Sequence, residues 1–298
     1  MRSKLTNSKI MSVGIAMAAL SCQAQADAWS FNATPSLTYG SYSGSVQRDK
    51  LSEISVMISA DYLDQGGVTA GYSNTRVNLK NATTIDQNNF LLSGRKHIYL
   101  DSGSGRLTLR LDAHRLNNND VTGATNGVSV IAPQVGWLSD DRTLYADLGY
   151  ANSSYPNQPT VRQYTPTMGF GFNSNADWIQ MRAFLISGLN PASTGGKSST
   201  SDLDMKWTHY FAPGSELVPA SVSLGVAAGQ KMYAVDMDAQ SVANIADLSK
   251  GAATLGLAWN INKSTKLFVL AGQSRYSNVA MANDYKLNVG HANLSVDW

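Results

Sequence analysis

The side chains equipped for acid–base or metal chemistry are sparse and poorly grouped. The four histidines are His97, His114, His209 and His291, and none stands in H-E-x-x-H or another metal-binding spacing. The single cysteine, Cys22, sits near the start of the chain, so neither a disulfide framework nor a cysteine metal set can be built downstream of it. Asp112 and His114 fall two apart, on one face of a strand, and form a candidate carboxylate–imidazole pair, although such pairs are common on solvated walls. There is no G-x-S-x-G elbow and no glycine-rich phosphate loop after a parallel strand. The expectation is therefore no enzyme, no cofactor and no metal.

The other chemically informative residues are charges that recur on the polar phase of alternating segments. They include Glu53, Arg95, Arg106, Arg110, Asp112, Asp147, Arg182, Asp202, Asp204 and Lys206, which we read as lining an interior passage. Lys231, Lys266, Lys286, Asp61 and Asp284 extend the set to eight bases against seven acids, which predicts no strong ion selectivity. Arg95, Arg106 and Arg110 belong to neighbouring segments and Asp202 and Asp204 lie several segments on, so a field across the passage is expected. The alternative is that these groups pair with one another and plug the interior.

These residues are positioned by a two-residue rhythm that runs almost the whole length of the chain. Trp29, Phe31, Ala33, Pro35, Leu37 and Tyr39 alternate with small polar residues, and Ile54, Val56, Ile58, Ala60 and Tyr62 repeat the pattern. Later segments such as Leu107–Ala113, Tyr164–Phe172 and Leu203–Phe211 do the same, giving about fourteen strands, within a range of about 12 to 16. Connections near 64, 103, 140, 175, 214 and 262 read as tight, and those near 45, 80, 120, 155, 195, 240 and 280 as longer. In the last segment Leu287 and Val289 are out of phase with Leu294 and Val296, which predicts a bulge near Gly290. Lys96, Arg162 and Arg275 fall on the apolar phase and must sit near a rim, while Phe184, Ile186, Phe268 and Leu270 land inward. The longest connection, Tyr233 to Lys250, spaces its apolar residues loosely, as in a short helix. It is expected to pack on the rim, with insertion into the mouth as a gate the alternative.

At the amino end, Arg2, Lys4 and Lys9 precede an apolar run from Ile10 to Leu20, and Ala24-Gln25-Ala26 offers a cleavage site: an export signal over 1–26 before a single unit over 27–298. The signal carries three of the 23 Lys and Arg, so the remaining 20 face 21 acidic residues and the mature net charge is near −1. That balance excludes electrostatic binding to nucleic acid. No later stretch approaches the apolar length of a spanning helix of about 20 residues.

The closing strand ends on Trp298, and an aromatic terminus on an alternating strand resembles the last strand of Gram-negative outer-membrane barrels. In size and expected strand number the mature chain is similar to their small monomeric porins, the oligogalacturonate and maltodextrin-sized general channels. More loosely, its Tyr-rich strands resemble the YaiO-type small barrels. The resemblance implies an all-β, antiparallel up-and-down transmembrane β-barrel in the outer membrane, with short turns and both termini on the periplasmic side. Its partners would be outer-membrane lipid and lipopolysaccharide, the barrel-assembly machinery acting through the strand ending at Trp298, and small hydrophilic solutes diffusing passively. A closed barrel assisting polysaccharide export is the alternative. A lipid-modifying enzyme is the third reading, and the His-x-Ser pair of the deacylases is missing here.

Overall fold

The computed structural model describes residues 28–298 apart from 82, 121, 122, 157, 158, 213 and 215–217; the export signal lies outside the described residues. The strands are β1 (Trp29–Ser43), β2 (Arg48–Tyr62), β3 (Gly66–Leu79), β4 (Thr84–Tyr99), β5 (Arg106–Asn118), β6 (Val128–Leu138), β7 (Leu144–Ser154) and β8 (Val161–Phe172). They continue as β9 (Asp177–Ser187), β10 (Ser199–Tyr210), β11 (Ser221–Gly229), β12 (Val235–Asp236), β13 (Ser241–Val242), β14 (Leu248–Asn260), β15 (Thr265–Asn278) and β16 (Asn283–Asp297). All but β12 and β13 form one closed antiparallel barrel of 14 strands in chain order, and β12 and β13 make a separate two-stranded hairpin. The ring shuts where β1 meets β16, from Asn32 opposite Asp297 to Ser43 opposite Lys286. Closure leaves no sheet edge, as a β structure in lipid requires.

The usual relation of polarity to burial is inverted. Along β8, Gln163, Thr165 and Thr167 are buried, while Met168 is 64% exposed and Tyr164 and Phe170 also face out. A sheet whose exposed side is Leu, Met, Ile and aromatic residues, and whose enclosed side is Thr, Gln, Asp and Arg, is built for an apolar surrounding. Near the rim that holds both barrel ends, Trp29 packs against Tyr62 and Phe31 stacks on Trp298. Further along the wall Tyr72 meets Phe90 and Tyr150 meets Tyr164. The sequence's outward bases sit toward the rims as expected. Lys96 pairs with Gly66 at the start of β3, Arg162 is the second residue of β8, and Arg275 lies near the end of β15.

Three expectations are corrected. The register of β16 runs without a shift against both β1 and β15, so there is no bulge at Gly290. Leu287 points inward instead, into an apolar cluster with Tyr42 and Tyr285, with Val289 packed against it. The same register turns Asp284 and Lys286 outward, removing them from the interior set. The loops are less neatly sorted than expected: the connections at 44–47, 80–83 and 279–282 are four residues each, while 211–220 on the other rim spans ten. Finally, the segment expected to be helical holds the β12–β13 hairpin.

Candidate functional site

The segment 230–247, between β11 and β14, does not rest on the rim. It folds into the barrel and is fastened to the inner wall at several points. On β8, Gln163 Nε2 donates to the Val235 carbonyl at 2.7 Å and Val235 N donates back to Gln163 Oε1 at 2.9 Å. On β9, Arg182 donates to Asp236 at 2.9 Å and also contacts Asp238, which accepts from Gln180 at 2.9 Å. On the β4–β5 side, Asn244 Nδ2 donates to Gln87 and to the Thr125 carbonyl, each at 2.7 Å. At its far end buried Asp247 meets Arg48 of β2 and Tyr285 of β16, and the Arg48 guanidinium lies 5.6 Å from the Tyr285 ring centre.

Between these anchors the segment buries an apolar face against one side of the wall. Tyr233, Val235 and Met237 pack with Val130, Phe184 and Ile186, all almost fully buried. Each large apolar side chain hidden this way stabilises by about 1.5–3 kcal/mol. Gly149 makes room: a Cβ there would lie 2.6 Å from Met237 Cε. The β5–β9 side of the interior is therefore filled. Alongside the segment, toward β1–β4 and β15–β16, remains a cavity of about 1200 Å³ whose lining includes Glu53, Ser55, Thr75, Asn89, His291 and Asn293.

The predicted interior charges do not face one common space. Glu53 lies on the open cavity, accepting from Thr75. Arg182 is buried under the inserted segment. Asp202 and Asp204 are both taken by Lys231, whose Nζ lies 2.6 Å from Asp202 and 2.8 Å from Asp204 and 4.3 Å from the Phe184 ring centre. Arg110 forks onto Asp112 at 2.6 and 2.8 Å, and Arg95 onto Asp61. Asp147 is buried beside the Tyr145 hydroxyl. Arg106 and Lys206 make no ion pair among the described residues. The expected field from Arg95, Arg106 and Arg110 across to Asp202 and Asp204 is thus halved at its acidic end by Lys231 and weakened at its basic end by Asp61 and Asp112. Arg48, Asp236, Asp238 and Asp247 were not among the residues singled out, because their importance depends on where the long connection goes.

The Asp112–His114 pair does not form either: Asp112 is turned to Arg110, and both ring nitrogens of buried His114 lack hydrogen-bond partners among the described residues. The imidazole–carboxylate contact present is His209 with Asp177, at 2.9 Å beside the aromatic rings of Trp207 and Phe211. Among the described residues no three His, Cys, Asp or Glu gather as a metal site. Outside the spanning strands, the turn carboxyl of Asp141 is held below its usual range by hydrogen bonds from Ser139 and Thr143.

Among solved structures, a bacterial polysaccharide outer membrane secretin superposes with a TM-score of 0.55 at 10% identity, covering 90% of this chain and 98% of that one. The CymD monoaromatic hydrocarbon channel gives 0.55 at 7% identity over 91% and 88%. The fold is that of the outer-membrane β-barrels. A more distant match is OccK7 of Pseudomonas aeruginosa, at 0.46 and 9% identity over 92% and 99%. The sequence itself matches no known family profile and no curated protein. At these identities the superpositions show the fold alone.

Proposed function

We propose that the chain is an outer-membrane channel through which small hydrophilic solutes diffuse passively, without covalent chemistry. The observation that carries the reading is the cavity of about 1200 Å³ left beside the inserted segment, inside a closed barrel with an apolar exterior. Fourteen strands enclose more than the side-chain-filled interior of about eight and less than the wide pore of about 16. A strap packed against one wall is what narrows such an interior while leaving a passage. In this reading the rim with Trp29 and Asp297 is periplasmic, and the strand ending at Trp298 is what the barrel-assembly machinery takes up.

Recording from purified protein in planar bilayers tests it. Stable conductance steps are expected. Electrical silence would favour the second reading, a closed barrel serving another envelope system, which the apolar packing of Tyr233, Val235 and Met237 against the wall supports. Fatty acid released from labelled phospholipid or lipopolysaccharide would instead reveal an enzyme and end the channel reading as stated.

A further inference from the structure

The interior charges that the strands carry sort along the barrel axis. The wall bases Arg95, Arg106, Arg110, Lys206 and Lys266 all lie within the five residues nearest the strand ends at the termini-bearing rim, while Arg182 is the sixth residue of β9, level with Asp204 on β10. Arg106 opens β5, Lys266 is second in β15, and Lys206 is four residues from the end of β10. Three acids share that zone, Asp61, Asp147 and Asp297, leaving it net basic. Farther up, Glu53, Asp112, Asp202 and Asp204 stand on the wall, Asp112 held by Arg110, and the inserted segment adds Asp236, Asp238 and Asp247. The bases there are Lys231, Arg48 and Arg182. Lys231 is outnumbered by Asp202 and Asp204, and Arg182 by Asp236 and Asp238, so each triad retains a negative charge. Glu53 accepts from the Thr75 hydroxyl and makes no ion pair among the described residues. At the other end Arg106 and Lys206 make no ion pair among the described residues.

Resting on the channel reading, we propose that the lumen carries a lengthwise field, acidic around the inserted segment and basic toward the termini, and that its preferred solutes are small zwitterions. An ammonium is drawn to the Glu53 level and a carboxylate to the Arg106–Lys206 level, so a molecule bearing both gains at each end. A simple anion meets the acidic chamber first and is repelled. Field lines in a narrow, low-dielectric lumen are focused and less screened than over the open surface, where the Debye length is about 8 Å.

Single-channel recording from one-sided insertion, with liposome swelling in a zwitterionic amino acid, an uncharged polyol and a dicarboxylate of matched size, tests this. The expected result is a current ratio of about two between equal and opposite voltages, with swelling fastest for the zwitterion and slowest for the dicarboxylate. Glu53→Gln, and separately the double change Arg106→Gln with Lys206→Gln, should each bring the ratio toward one and narrow the solute ranking. Glutamine is isosteric with Glu53 and leaves an uncharged polar side chain in place of Arg106 and Lys206, and heat-modifiable gel migration confirms that each variant is folded. A conducting wild type with a symmetric current–voltage curve, or variants that keep the full asymmetry, would overturn the lengthwise field alone. Silence of the wild type would remove the channel reading, and this inference with it.

Discussion

Arg182 shows how far a single side chain can be read from a sequence. Its inward direction follows from the alternation Ile179, Met181, Ala183 and Leu185 on the other phase, because a strand gives each residue only two faces. Its partners do not follow: Asp236 and Asp238 lie 54 and 56 residues away, on a segment with no periodic signal. Arg182→Gln removes the charge from a nearly buried group and leaves two carboxylates facing each other. The expected loss of anchoring is about 1.5–3 kcal/mol, the range for hydrogen bonds to charged groups. Limited proteolysis should then cut within 232–246 faster in the variant than in the wild type, and an unchanged cutting rate would show that the anchor is dispensable. Asp141 carries a pH effect of definite sign. Its folded pKa is depressed by the Ser139 and Thr143 hydrogen bonds. Its contribution to stability is therefore complete above the ordinary aspartate value of about 3.9 and is lost as pH falls through the lower folded value. The urea midpoint of the folded barrel should drop on acidification through that range, and Asp141→Asn should remove that part of the drop.

Strands were legible as elements and the long connection was not, for one physical reason. A barrel strand meets apolar surroundings on one side and an enclosed polar space on the other, so its sequence must alternate. The inserted segment meets a wall, a cavity and its own anchors in turn, so Val235, Met237 and Val242 follow no period and suggested a loose helix. The same mixture explains why β16 needs no bulge: Leu287 and Val289 are apolar yet face inward, because part of the lumen is itself apolar. If the segment narrows the passage, replacing 233–246 by a short Gly-Ser link should raise single-channel conductance about twofold or more, since it occupies much of the interior of an intermediate-sized barrel. Unchanged conductance would assign it to scaffolding only. Turns on the opposite rim have their own constraint. Gly105 has φ +94°, and a Cβ there would stand 2.2 Å from the Leu138 carbonyl oxygen. Gly105→Ala should cost about 1–3 kcal/mol, read as a lower temperature for loss of the heat-resistant folded band.

At the scale of the molecule, strand number and closure were readable because each of fourteen segments repeats the same contrast between its faces. The sorting of loops by length was read less well, since four-residue connections occur on the rim expected to carry long ones. Everything about the whole depends on which face touches lipid, and the tryptophans can report it. Trp259 lies on the exposed phase of β14 with Leu255 and Leu257, opposite Leu267. Trp178 faces the other way: a Cβ at Gly169 would stand 2.6 Å from its ring, on the enclosed side of β8. Two variants, each keeping only one of these tryptophans and Phe at the other positions, can be reconstituted in lipids brominated in the acyl chains. Bromine quenches only at contact, so the Trp259 variant should dim strongly and the Trp178 variant should match its unbrominated control. A water-soluble quencher should reverse the order if the lower lumen is wet, because Trp178 is reached from inside the barrel. Equal quenching of both by lipid would mean that the apolar face is not the one embedded, and the architecture would have to be turned inside out to account for it.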